Sequence, residues 1–141
     1  MKVQPITDEQ AAAIAGWRYE FPYEWYDTSA DPRRIELFAN PARRTHLRAV
    51  VDDNGELVGF FNFVPEGHEV RLGLGMRPDL TGHGFAQPFI AAGLDYARAQ
   101  GLKIVPRCSF IAAFIKRNPE YAASVPEAYR DAPPSCEIRR S

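Results

Sequence analysis

The sequence predicts an α/β domain built on a mixed sheet, and three observations carry that expectation. Residues 45–76 hold three β-rich runs parted by two turn signals, Asp52-Asp53-Asn54-Gly55 and Pro65-Glu66-Gly67-His68, the pattern of an antiparallel meander. Residues 84–100 then place Phe85, Ala86, Phe89, Ile90, Gly93, Leu94 and Ala97 on one face of a helix. Gly101 stops that helix, and the short run Lys103 to Pro106 reads as a crossover strand returning parallel to the third strand of the meander.

The elements follow in order. Thr7 is a helix N-cap with Gln10 completing a capping box, Ala11 to Ala15 form the helix, and Gly16 suits a left-handed C-cap. An aromatic cluster comes next: Trp17, Tyr19, Phe21, Tyr23, Trp25 and Tyr26. It reads either as core or as the wall of an acceptor site. Asp31-Pro32 is an N-cap followed by an N1 proline, opening a short helix to about Phe38. Strands run from Thr45 to Val51, Glu56 to Val64 and Glu69 to Met76, and Asn54-Gly55 accepts positive φ at both central turn positions. Ser109 to Arg117 is a second amphipathic helix with Phe110, Ile111, Phe114 and Ile115 inward, closed by Pro119. Residues 1–130 make one domain and 131–141 a tail marked by Ala132-Pro133-Pro134-Ser135.

A chain of 141 residues buries ~68–70% of its unfolded surface, enough for one core without staples. With 17 basic and 18 acidic residues the net charge is −1, against the basic excess of a nucleic-acid binder. The arginine pairs Arg33-Arg34, Arg43-Arg44 and Arg139-Arg140 read as solvated faces. No apolar run approaches the ~18 residues of a membrane span, and Met1-Lys2-Val3-Gln4-Pro5 lacks a signal-peptide core, so the expectation is a cytoplasmic chain without membrane contact. Cys108 and Cys136 form no CxxC and no cluster with His46, His68 or His83, which argues against a disulfide scaffold and a metal site. Twelve prolines spread over the length exclude a long helix or coiled coil.

The chemistry concentrates in Leu72-Gly73-Leu74-Gly75-Met76-Arg77-Pro78-Asp79-Leu80-Thr81-Gly82-His83-Gly84-Phe85-Ala86, which joins a strand to a helix. Gly82 and Gly84 let successive N–H groups converge, and with the positive end of the helix they form an anion site suited to a diphosphate. The Gly-Lys-Ser/Thr ending of a P-loop is absent, and Gly73-Leu74-Gly75-Met76-Arg77-Pro78 fails the dinucleotide fingerprint at its third glycine.

This stretch resembles the acetyl-CoA signature of the GNAT superfamily of N-acetyltransferases, Gln/Arg-x-x-Gly-x-Gly/Ala after a strand ending in x-Pro. Thr81-Gly82-His83-Gly84-Phe85-Ala86 matches it except at Thr81. Trp17-Arg18-Tyr19 through Pro22-Tyr23 and Tyr26 is similar to the amino-terminal region of larger bacterial members. Gly101-Leu102-Lys103-Ile104-Val105-Pro106-Arg107-Cys108-Ser109-Phe110, with Arg117-Asn118-Pro119-Glu120-Tyr121, is similar instead to the small acetyltransferase-like branch over residues 101–125. A natural mosaic and a constructed chimera both read this way.

The resemblance implies a mixed central sheet flanked by helices, lacking the terminal hairpin, with a V-shaped opening between the third and crossover strands. Acetyl-CoA would lie there as co-substrate, without a metal. The backbone of Leu74 and Met76 would pair with the pantetheine amides. Thr81, Gly82, His83, Gly84, Phe85 and Ala86 would take the pyrophosphate, and the Met76 N–H would serve as oxyanion donor. The acceptor, a small amine or a peptide amino terminus, would meet Tyr23, Trp25 and Tyr26. The superfamily often uses a carboxylate near the third strand and a tyrosine on the last helix. Here Glu69 is the nearest carboxylate, at the start of its strand, and Lys116 stands at the tyrosine position. Cys108 and Ser109 are the remaining candidates near the thioester, with Cys108 reading first as buried packing. The crossover strand would be an edge that a second copy could cover in a homodimer. Three readings stay open: an acetyltransferase, a non-catalytic CoA-binding or regulatory module, and a fold without ligand.

Overall fold

A computed structural model describes residues 1–20, 26–81, 84–106 and 109–126. Five strands form one sheet: β1 (Lys2–Pro5), β2 (Leu47–Val51), β3 (Leu57–Glu66), β4 (Glu69–Met76) and β5 (Ile104–Val105), in the order β1-β2-β3-β4-β5. The first four pair antiparallel, and β4 pairs parallel with β5. This is the mixed α/β sheet the sequence predicts, with one strand more. β1 escaped notice because four residues with one β-branched side chain carry no period-2 signal.

The helices are α1 (Asp8–Ala15), α2 (Pro32–Ala39), α3 (Ala86–Ala99) and α4 (Ser109–Arg117). On one sheet face Ala11 and Ile14 of α1 and Phe38 of α2 pack around Leu47. On the other, Phe89 and Leu94 of α3 and Ile111 and Phe114 of α4 close over Phe61, Leu72 and Ile104. Strand alternation divides β4 between the two: Val70, Leu72, Leu74 and Met76 join the α3/α4 core, which sets Arg71, Gly73 and Gly75 on the α1/α2 side.

Thr7 forms the expected capping box with Gln10, and Asp31 caps α2 by accepting the Arg33 N–H at 2.9 Å. Other expectations are corrected. Gly16 is right-handed, φ −90°, because α1 ends in a tightened turn, with Trp17 donating to Ile14 at 3.0 Å, and needs no left-handed cap. Asn54 does not have positive φ; only Gly55 does, at 81°. The hairpin is a three-residue loop in which Asp52 takes the N–H groups of Asn54 and Glu56 at 2.9 and 3.0 Å.

Pro65 and Glu66 lie inside β3, not in the turn. The last β2–β3 pair is Leu47↔Asn62, so at Pro65 the strand has outrun its neighbour and the missing N–H costs no ladder bond. β2 begins at Leu47 rather than Thr45. Phe85 and Ala86 do not belong to the inward helix face, since Phe85 precedes α3 and both are exposed; Phe110, expected inward, is 61% exposed. The expected domain end at 130 and the tail 131–141 lie outside the described residues.

Candidate functional site

The two parallel strands part company early. β4 and β5 pair at Val70↔Ile104 and Arg71↔Val105 alone, and Pro106, with no N–H, follows directly. Val70 donates to the Lys103 carbonyl at 2.9 Å, so its backbone faces β5. Backbone direction alternates along a strand; Leu72, Leu74 and Met76 therefore turn their N–H and C=O groups to that same side, where the short β5 reaches only as far as the Leu72 N–H and no described strand meets Leu74 or Met76. The opening expected between β4 and β5 thus has a wall of main-chain donors and acceptors.

The mouth of this edge is held by Arg77. Its backbone N–H donates to Val58 at 2.8 Å, and its guanidinium bonds the Leu57 carbonyl at 2.8 Å and Asp79 at 2.6 Å. The Asp79 carboxylate raises the arginine pKa. Beyond it, Gly84 sits at φ 80°, a conformation that favours glycine. α1 and α2 have side-chain caps, but α3 begins after Phe85 with none. Among the described residues the amides of Ala86 and Gln87 thus have neither an intrahelical acceptor nor a capping side chain, and Pro88 has no N–H to offer.

The predicted site residues distribute as follows. Leu74 and Met76 lie on the open edge, with side chains in the core. Thr81 is exposed and its hydroxyl donates to the Pro78 carbonyl at 2.7 Å, closing a turn rather than facing outward. Gly84, Phe85 and Ala86 are exposed at the start of α3. Glu69 opens β4 opposite Glu66, at the far end of the strand from Met76. Ser109 begins α4. Tyr26 is partly exposed and packs its ring on Tyr19, centroids 5.9 Å apart. Gly82, His83, Cys108, Tyr23 and Trp25 lie outside the described residues. Tyr121 is packing: it is buried against Phe114 and donates to Asp95 at 3.0 Å.

Sequence reasoning missed Tyr19 as a site residue. Its hydroxyl donates to the Met76 carbonyl at 2.7 Å, and its N–H donates to the Asp27 carboxylate at 2.7 Å. Burial first, and then the Asp27 charge, push its pKa up to about 12. The signal available was the every-second-residue spacing of Trp17, Tyr19, Phe21, Tyr23 and Trp25, but the contact with Met76 depends on tertiary placement. A cavity of about 570 Å³ lies elsewhere, between α1 and α2 with Ile35, Phe38 and Arg44 in its wall, and contains none of the predicted site residues. Among the described residues no cluster of three or more His, Cys, Asp or Glu could hold a metal ion, and no helix is long and apolar enough to cross a membrane.

The sequence profile described as GCN5-related N-acetyl-transferase matches residues 47–125, more than half of the chain and the whole run from β2 past α4. The chain belongs to the GCN5-related N-acetyltransferase family. No curated protein sequence matches it. Among solved structures, a chimera of the spermidine N-acetyltransferase SpeG from Vibrio cholerae and hSSAT is similar, with 19% identity over 73% of this chain and 67% of that one and a TM-score of 0.57. A second such chimera has 20% identity, the same coverage of 73% and 67%, and a TM-score of 0.52. A mutant of the Vibrio cholerae enzyme has 19% identity over 73% and 66% of the two chains, with a TM-score of 0.51. At these identities the likeness is one of fold.

Proposed function

We propose that this chain transfers the acetyl group of acetyl-CoA to a primary amine, on a small molecule or a peptide amino terminus, by direct attack in a ternary complex. The observation that carries the reading is the unpaired edge of β4, leading through Gly84 into the uncapped N-terminus of α3. An extended chain of amides ending in a diphosphate suits that sequence of features: amides pair with the Leu74 and Met76 backbone, and the phosphates lie against Thr81, Gly82, His83, Gly84, Phe85 and Ala86. Acetyl-CoA supplies an activated acyl group with a thiolate leaving group. The chain's contribution is alignment of the reactants and a donor, the Met76 N–H, for the charge that develops on the acyl oxygen. Tyr26, with Tyr23 and Trp25, would face the acceptor. Cys108 and Ser109 remain the candidates for proton transfer, whereas Glu69 stands at the opposite end of β4 from Met76. Ile104 and Val105 of β5 are buried, so a second copy in a homodimer would dock on another surface.

Thermal unfolding and calorimetry test the reading first. Acetyl-CoA at 100 times its dissociation constant stabilises the fold by ~2.7 kcal/mol; no shift and no heat would remove it. Release of free thiol against polyamines, amino acids and short peptides then separates an enzyme from a CoA-binding module, which gives the shift without the thiol.

A further inference from the structure

The Met76–Arg77 peptide is gripped from both sides. Its N–H, on Arg77, donates to the Val58 carbonyl of β3 at 2.8 Å. Its oxygen, on Met76, accepts the Tyr19 hydroxyl at 2.7 Å from a side chain 57 residues earlier. Among the described residues, no other side chain hydrogen-bonds to the backbone of Leu72, Leu74 or Met76. Tyr19 is itself well anchored. The buried Asp27 carboxylate holds its N–H at 2.7 Å, and Tyr26 packs on its ring at 5.9 Å.

We infer that Tyr19 is a positioning residue for acetyl transfer: its hydroxyl fixes the end of the open β4 edge so that the Met76 N–H points at the acyl oxygen. The inference rests on the acetyl-CoA reading above. The reason lies in the chain geometry. Between the Met76 N–H and the clamped peptide stand only the two torsions of Met76. Holding the oxygen of that peptide, with its N–H already on β3, leaves the Met76 N–H little freedom to turn from the edge. Without the hydroxyl, β4 ends at a residue paired on one side only. A donor that wanders loses much of its worth, because alignment within about 1 Å is what separates a productive site from one ~10²-fold slower. The carbonyl oxygen keeps a second lone pair, so the Tyr19 bond does not bar a pantetheine amide from the same acceptor.

The test compares the full chain with Tyr19→Phe, using the amine found in the screen or, failing one, the slow hydrolysis of acetyl-CoA, whose acyl oxygen needs the same donor. The expected result is a kcat about 10- to 100-fold lower, with the calorimetric Kd for acetyl-CoA within about threefold of wild type. An unchanged kcat accompanied by a lower Tm overturns the inference and leaves Tyr19 a tether. Wild type that gives neither heat nor turnover with acetyl-CoA removes the cofactor reading and this inference together; wild type that binds and turns over beside an unaffected Tyr19→Phe removes this inference alone. If Tyr19→Phe does not fold, 3,5-difluorotyrosine at position 19 keeps shape and hydroxyl but ionises at lower pH. Its kcat should then fall at the pH where absorbance records phenolate formation, because a phenolate has no proton for Met76. A flat profile overturns the inference.

Discussion

Tyr19 also leaves a mark on stability. Its pKa is raised from 10.0 to about 12 because burial disfavours the phenolate, and Asp27 adds repulsion. A group raised in the fold stabilises it fully below the unfolded value and loses that contribution as pH climbs through the folded value. Wild type should therefore lose stability relative to Tyr19→Phe between about pH 10 and 12, measured by urea unfolding at a series of pH values; parallel curves would show that the phenol ionises freely. Asp31 works at the other end. The Arg33 N–H holds its carboxyl below the usual carboxylate range, so its contribution is present at neutral pH and disappears as pH falls through that lowered value. Both groups were visible in the sequence, but unequally. Asp31-Pro32 announces a cap by local rules alone, whereas nothing near Tyr19 in sequence points to Met76.

At the scale of elements, the glycines of β4 and α3 separate by what lies above them. A Cβ on Gly93 would stand 2.5 Å from Phe61 Cζ. Phe61 is fully buried and stacked on Phe89 with centroids 4.6 Å apart, so it has nowhere to go. Alanine is the better helix former by ~1 kcal/mol, yet overpacking typically costs ~1–3 kcal/mol. Gly93→Ala should thus lower the urea midpoint. Gly73→Ala should not, because its Cβ would meet nothing nearer than Asn62 Cβ at 3.6 Å; equal midpoints for the two variants would refute this account. The meander, both main helices and the parallel return were legible because each rests on turn chemistry or on a face five or more residues long. The errors fell where tertiary structure decides. Phe110 obeys the helical period yet is exposed, since α4 meets the core through Ile111 and Phe114. Pro65 looks like a turn residue and is a strand residue, since only the end of β2 makes room for it.

For the whole molecule, the informative feature is where pairing stops. Sequence patterning located β4 and β5 but could not say that they share two pairs, because β5 is set by the length of the α3 crossover and by Pro106. Amide exchange followed by NMR should resolve the consequence. In the free protein, the Leu74 and Met76 amides should exchange faster than those of Arg71 and Gly73, which bond to β3. On adding acetyl-CoA the first pair should slow and the second stay as it was. Protection already equal in the free protein would mean that the edge is covered by something else in the chain.

An edge built from peptide groups has a consequence for how this protein tolerates change. The side chains of Leu74 and Met76 pack against the α3/α4 core, while their amides face the opening. Selection on those positions would accordingly act through volume and apolarity, and the chemistry offered to a ligand would pass unaltered through any substitution the core accepts. Such a surface is nearly mute in an amino-acid alphabet, so distantly related chains can present the same row of donors while sharing few letters.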